Sequence, residues 1–190
     1  MQCERNCKSS RPNFWIWTTD GLDPELDRRV KYVTGPVTIG IDPGLSGAIG
    51  FVPRDWPAWV EDMPTKPHSK TGFVKRAVDC QALSVMLRPY GMAGNARVFI
   101  ERVNAVPGQG VGSMFSLGMS FWGAVGVACA LGIDVQLVEP KDWKAHFGLA
   151  KDKEMARVLA ARYFPAASLG RKKDHNRAEA LLIAKYGESL

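Results

Sequence analysis

The stretch "VTIGIDPGLSGAIGF", Val37 to Phe51, sets a single acid, Asp42, inside an apolar, glycine-rich run. Its first six residues are β-branched and apolar enough to read as a buried strand, and Pro43-Gly44 reads as the turn that ends it. Asp42 therefore stands at the end of an inner strand, with its carboxylate exposed by the turn. Gly40 and Gly47 leave room for another backbone or a ligand to approach closely. A buried strand that ends in a charge raises the question of what that charge is for.

Working outward, "AIGFVP" and "AWVEDM" read as two further strands joined to the first by short connections, an antiparallel meander. "VDCQALSVMLRPYG" spaces Val78, Leu83, Met86 and Leu87 as one helix face, with Asp79 as N-cap and Gly91 as stop. "ARVFIE" predicts a fourth strand and "DVQLVEP" a fifth. Between them runs an uncharged helix from about Val111 to Leu131, expected to be wholly buried. "KDWKAHFG", the helix "DKEMARVLAARYF" and a last helix from about His175 to Tyr186 complete the chain. Strand-strand-strand-helix-strand-helix-strand-helix is the order of the ribonuclease H-like fold, an α/β architecture with a mixed five-stranded sheet flanked by helices.

That order gives Asp42 a neighbour. The fourth strand ends in Glu101, and pairing it with the first brings both acids to one end of the sheet, where like charges call for a cation between them. On the last helix Glu179 and His175 are four apart and share a face, Asp174 lies at the cap, and Asn176 is three before Glu179. Ala178, Leu182 and Ile183 hold this helix against the sheet.

Charge and length bound the rest. The 190 residues suit one domain (36–190) with an irregular N-terminal arm (1–35), and the formal charge of +6 suits a polyanionic partner. Cys3 and Cys7 could form half of a metal site, but no second Cys or His pair follows at ligand spacing, and Cys80 and Cys129 fall in apolar helical contexts where a thiol packs as a small apolar group. Free thiols in a reducing, intracellular compartment are therefore expected, and the N-terminus lacks the pattern of a secretory signal. The run from Val103 to Ile133 carries no charge and is long enough to span a bilayer, but its Gly and Ser content and flanking strands favour a core helix and no membrane partner. Lys141, Lys144, Lys151, Lys153, Arg157, Arg171, Lys172, Lys173 and Arg177 crowd the C-terminal third as candidate phosphate contacts. In the glycine-rich loop after Glu101, Gln109 is able to hydrogen-bond a base, and Phe115 either wedges into opened DNA or packs in the core.

The motifs "IGIDPGLSGA", "VFIERV" and "KKDHNRAEALLIAKYG" resemble those of the RuvC-type Holliday junction resolvases, the third motif being most similar to the phage and chloroplast branch. The resemblance covers about Val37 to Gly187. It implies a structure-selective endodeoxyribonuclease of DNA recombination and repair that cuts four-way junctions in paired nicks, leaving 5′-phosphate and 3′-hydroxyl ends. It further implies two Mg²⁺, replaceable by Mn²⁺, on Asp42, Glu101, Asp174 and Glu179, and a homodimer acting on branched DNA. Where the bacterial branch has an acid or histidine three residues before the last acid, this chain has Asn176. The third ligand is thus to be found among Asp174, His175 and Asn176, in that order. Lys153 matches a basic residue of the chloroplast branch and would stabilise charge at the phosphate. A catalytically inert junction-binding protein and an actin-like ATPase are the rival readings. The ATPase needs a duplicated domain for which the chain has no room.

Overall fold

In a computed structural model of the chain, residues 33, 35–68, 74–104, 107–149 and 153–190 are described. The N-terminal arm falls almost wholly outside them, as do Lys151 and the side chain of Lys153. The described residues form seven strands: β1 (Val37–Asp42), β2 (Ala48–Pro53), β3 (Trp59–Asp62), β4 (Thr65–Pro67), β5 (Arg76–Val78), β6 (Ala96–Glu101) and β7 (Asp134–Val138). The helices are α1 (Cys80–Ala93), α2 (Val111–Ala130), α3 (Pro140–His146), α4 (Lys153–Tyr163) and α5 (His175–Gly187), the last entered through a 3₁₀ turn, Lys172–Asp174.

Five strands make one mixed sheet in the order β3-β2-β1-β6-β7. β1 runs antiparallel to β2 and parallel to β6, and β6 runs parallel to β7. This is the mixed, helix-flanked sheet that the element order predicts. Alternation along the strands divides the core in two. Ile39, Ile41, Val98 and Ile100 face α1 and α2. Phe99, Val138 and Val52 face the other way, onto Trp143 of α3, Ala156 and Ala160 of α4, and Leu182 of α5.

Two glycines decide how closely α5 lies on the sheet. A Cβ at Gly40 would stand 2.1 Å from the Ala180 carbonyl oxygen and 2.4 Å from the Ala184 nitrogen, and one at Gly50 would stand 2.8 Å from the Leu181 nitrogen. Such distances are far inside van der Waals contact, so the backbone of α5 sits directly on β1 and β2. The room that the sequence reserves at Gly40 is taken by another backbone.

Three expectations need correction. The helix expected to stop at Gly91 continues to Ala93 and ends at Gly94, whose φ of 62° is the left-handed cap. Gly91 serves packing instead: a Cβ there would meet the Leu131 carbonyl oxygen at 2.4 Å. Asp79 caps this helix as expected, accepting from the amides of Gln81 and Ala82. Secondly, β4 and β5 form a separate antiparallel hairpin, Thr65 opposite Val78, that periodicity does not reveal because each strand is only three residues long. Thirdly, α2 is not wholly buried. It turns Ser120, Phe121, Ala124 and Ala128 inward and leaves Phe115 and Trp122 exposed. It is the one described helix long and apolar enough to cross a membrane, and here one side of it rests against the sheet.

Candidate active site

β1 and β6 are parallel neighbours with Ile41 opposite Ile100, so both strands reach the same end of the sheet and finish in an acid, Asp42 and Glu101. Alternation then sets their direction. Asp42 shares the face of Gly40, and Glu101 that of Phe99, which is the face covered by α5. The close seating of α5 at Gly40 brings Glu179, the residue before Ala180, over the same strand ends. Three carboxylates therefore converge from three elements that lie far apart in sequence.

Their electrostatics record this convergence. Burial first, and then the carboxylates of Asp42 and Glu179, push Glu101 up to about 7 against the opposing hydrogen bond of Trp143 and the charge of Lys144. The Trp143 indole, fully buried, donates from Nε1 to Oε2 of Glu101 at 2.8 Å. The Lys144 ammonium stands 3.6 Å from Oε1 of Glu179 and 4.9 Å from the centre of the Trp143 ring. One short helix, α3, thus presents both a neutral donor and a cation to the acid cluster. The sequence places Lys144 only in a general basic group, and Trp143 escapes notice because an apolar residue in a short helix reads as core.

The turn after β1 is held from both sides. The Gly44 amide donates to Oδ1 of Asp42 at 3.2 Å, and Gly47 is required because a Cβ there would stand 2.1 Å from the Asp42 carbonyl oxygen. Asn176 donates from Nδ2 to the Ser46 carbonyl at 2.6 Å, so it braces the turn that carries Asp42.

The start of α5 is arranged differently. Asp174 is 2% exposed and gripped by Arg171: the Arg171 amide donates to Oδ2 at 2.8 Å, Nε donates to Oδ1 at 2.9 Å, and Nη2 lies 2.8 Å from Oδ1. Burial works to raise its carboxyl, but the Arg171 hydrogen bonds and charge hold it below the ordinary range. His175, four residues before Glu179, is half-buried.

Of the other candidates, Phe115 is 62% exposed and Gln109 donates to Oγ of Ser113 at 3.2 Å. Lys172 and Lys173 are exposed. Arg177 is engaged, with Nε 2.6 Å from Oδ1 of Asp62 and Nη1 donating to the Ser168 carbonyl. Lys153 begins α4, while Lys151 lies outside the described residues. Cys80 and Cys129 are free and exposed rather than packed as small apolar groups.

Among the described residues no three His, Cys, Asp or Glu side chains stand close enough together to hold a metal ion. The donor chemistry nonetheless fits a hard divalent cation. Asp42, Glu101 and Glu179 are all hard oxygen donors with no thiolate among them, and burial together with the charges of Asp42 and Glu179 raises Glu101, an imbalance that a cation drawing the three closer would relieve. Lys144 supplies part of that positive charge.

No family model matches the chain. In sequence it is 33% identical, over 117 residues, to the chloroplastic Holliday junction resolvase MOC1 of Chlamydomonas reinhardtii, a stretch covering 58% of this chain and 13% of that protein. In structure it is similar to Thermus thermophilus RuvC in complex with a Holliday junction substrate, with a TM-score of 0.54 at 18% identity, covering 81% of this chain and 96% of that one. A second Thermus thermophilus RuvC structure gives a TM-score of 0.51 at 16% identity, covering 78% of this chain and 90% of the other. The chain has the ribonuclease H-like fold of RuvC, with Asp42, Glu101 and Glu179 gathered at one end of its sheet, and it resembles a Holliday junction resolvase in sequence.

Proposed function

We propose that the chain is a metal-dependent endodeoxyribonuclease that resolves four-way DNA junctions by paired nicks in opposed strands, leaving 5′-phosphate and 3′-hydroxyl ends. The observation that carries this reading is the meeting of Asp42, Glu101 and Glu179, at the ends of β1 and β6 and on α5, in a chain similar to MOC1. These carboxylates would hold Mg²⁺, two ions in the full site, with Mn²⁺ able to replace them. Ions bound there would supply an acidified water and charge stabilisation for the leaving 3′ oxygen, so that no protein nucleophile would be needed.

The chain's own residues shape the site. Trp143 fixes Oε2 of Glu101, which sets the plane of that carboxylate and leaves Oε1 for a ligand. Lys144 brings a positive charge beside Glu179, where it offsets the charge of an incoming phosphate. Lys153, at the start of α4, would add a second cation. Asn176, at the place where the bacterial branch carries an acid or histidine, keeps Asp42 in position through Ser46 instead. At the start of α5, where Asp174 is engaged by Arg171 and Asn176 by Ser46, the further ligand would be Asp174 released from Arg171 or His175, one turn before Glu179. Lys172 and Lys173 flank the acids as phosphate contacts, Gln109 reads a base edge, and the exposed Phe115 wedges into the opened junction.

A four-way junction has two-fold symmetry, and a C2 dimer presents two sites to opposed strands. The outer face of α2 suits that role. Trp122 is 65% exposed, Gly118 and Gly126 have open space around them, and a largely apolar cavity of about 380 Å³ lined by Phe121, Trp122 and Leu137 adjoins the face. The free thiols of Cys80 and Cys129 are in keeping with a reducing intracellular compartment.

Incubation of the purified protein with a four-way junction, a fork and a plain duplex, in Mg²⁺ or EDTA, tests the reading. Cleavage of the junction alone, and only in Mg²⁺, supports it. Tight junction binding without cleavage assigns the chain to inert junction binders, and nucleotide hydrolysis without DNA binding assigns it to the ATPases.

A further inference from the structure

The β4–β5 hairpin has no part in the acid cluster, yet it is among the most strongly charged segments of the chain. Between Asp62 and Asp79 the sequence holds Lys66, Lys70, Lys75 and Arg76 and no acid. The hairpin is a two-stranded sheet of its own, its ladder extended by the His68 amide donating to the Lys75 carbonyl at 2.9 Å. Lys66, His68, Lys75 and Arg76 are all exposed. Lys66 makes one ion pair, 3.3 Å from Oδ1 of Asp79, and Arg76 donates to the Thr65 hydroxyl, whereas Lys75 meets no carboxylate among the described residues.

An open groove of about 530 Å³ separates this hairpin from the body of the molecule. Lys75 and Arg76 of the hairpin line it together with Ser113 and Ser116 of α2 and with Leu45 and Ser46 of the turn that follows Asp42. Cations and hydroxyls thus line one groove. The first-turn amides of α2, capped at Gly110 by no side chain, open in the same region. The groove also borders the turn that carries Asp42, because Ser46 lines it and is tied to α5 by Asn176. Positive charge, neutral donors and a position beside the turn that carries Asp42 match a polyanionic strand.

We propose that the β4–β5 hairpin is a phosphate-backbone clamp: Lys75 and Arg76 hold one strand of a DNA arm in the groove against Ser113 and Ser116, and lead it to Asp42. The inference rests on the reading of the chain as a junction nuclease and adds to it a surface that the acid cluster does not require. The contacts are to phosphate, so they position the strand without reading its sequence.

Binding of a labelled four-way junction, measured in EDTA across a series of NaCl concentrations, tests the clamp with wild type, Lys75→Ala, Lys75→Ala/Arg76→Ala and the control Lys185→Ala. Lys185 lies in the last turn of α5, where it pairs with Glu188. The clamp predicts weaker binding for both hairpin variants, with the slope of log affinity against log salt flattened by about 1 for the single and about 2 for the double variant, since each lost phosphate contact removes about 0.9. Lys185→Ala keeps the wild-type slope. Unchanged slope and affinity in the double variant, or an equal change in Lys185→Ala, overturns the proposal. A wild type that binds the junction but never cuts it removes the nuclease reading while the slopes still decide the clamp.

Discussion

Glu101 is where burial and charge meet most sharply. Its folded value of about 7 lies above the 4.5 of a free glutamate, so between those pH values the folded chain binds more protons than the unfolded one. The penalty is therefore absent below pH 4.5 and complete above about 7, and metal-free stability falls as the pH rises. The size is on the order of 3 kcal/mol. In EDTA, the melting temperature of wild type should drop between pH 5 and pH 8 by about 5–10 °C more than that of Glu101→Gln, while the variant does not cut junctions; parallel pH profiles would contradict this account of Glu101. Asp174 presents the opposite case, a carboxylate already matched by Arg171. Asp174→Asn should cost about 1–2 kcal/mol by weakening the Arg171 contacts, read as a lower melting temperature, with the Mg²⁺ concentration for half-maximal cleavage unchanged. A raised Mg²⁺ requirement at undiminished stability would instead make Asp174 a ligand. Sequence could name Asp42, Glu101 and Glu179 because each ends or faces an element of clear period. It could not choose among Asp174, His175 and Asn176, whose roles depend on side-chain directions that spacing leaves open. Trp143 was illegible for the same reason, since only a tertiary contact turns an apolar residue into the donor that holds Glu101.

Among the elements, α5 and its seat on β1 and β2 matter most, because Glu179 reaches the strand ends only if the helix backbone lies directly on Gly40 and Gly50. Gly40→Ala should lower stability by about 3 kcal/mol, since its Cβ would stand 2.1 Å from the Ala180 carbonyl oxygen and no flexible side chain is there to yield. Differential scanning calorimetry reads the loss directly, and a variant melting within a degree of wild type would mean that α5 is not seated as described. The long elements were legible in sequence: β1, β2 and β6 coincide with the predicted runs, and Asp79 caps α1 as expected. The hairpin was not, since two three-residue strands offer too few positions for a period to declare itself. The extension of α1 past Gly91 was hidden as well. A glycine required by the close approach of Leu131 looks the same in sequence as one that ends a helix. On α2, uniform apolarity concealed which side faces the sheet, because hydrophobic pattern separates the faces of a helix only when one of them is polar.

At the scale of the molecule, the acids occupy one end of the sheet, the basic hairpin and its groove lie beside them, and α2 offers an apolar face to a partner. If that partner is a second copy, Trp122→Glu places a charge in the interface and should leave a folded monomer. Analytical ultracentrifugation reads the change, and a wild type that is already monomeric would remove the dimer from the account. The paired geometry leads to a single decisive measurement on a supercoiled plasmid that extrudes a cruciform. Two opposed nicks made in one encounter convert it directly to the linear form, whereas unpaired nicks give open circles. Wild type in Mg²⁺ is predicted to yield linear plasmid, and neither EDTA nor Asp42→Asn should yield any, although the variant keeps its affinity for a four-way junction. Plasmid left supercoiled by wild type, or cut equally well when the cruciform sequence is deleted, would contradict the central claim that this fold gathers its three carboxylates to resolve junctions.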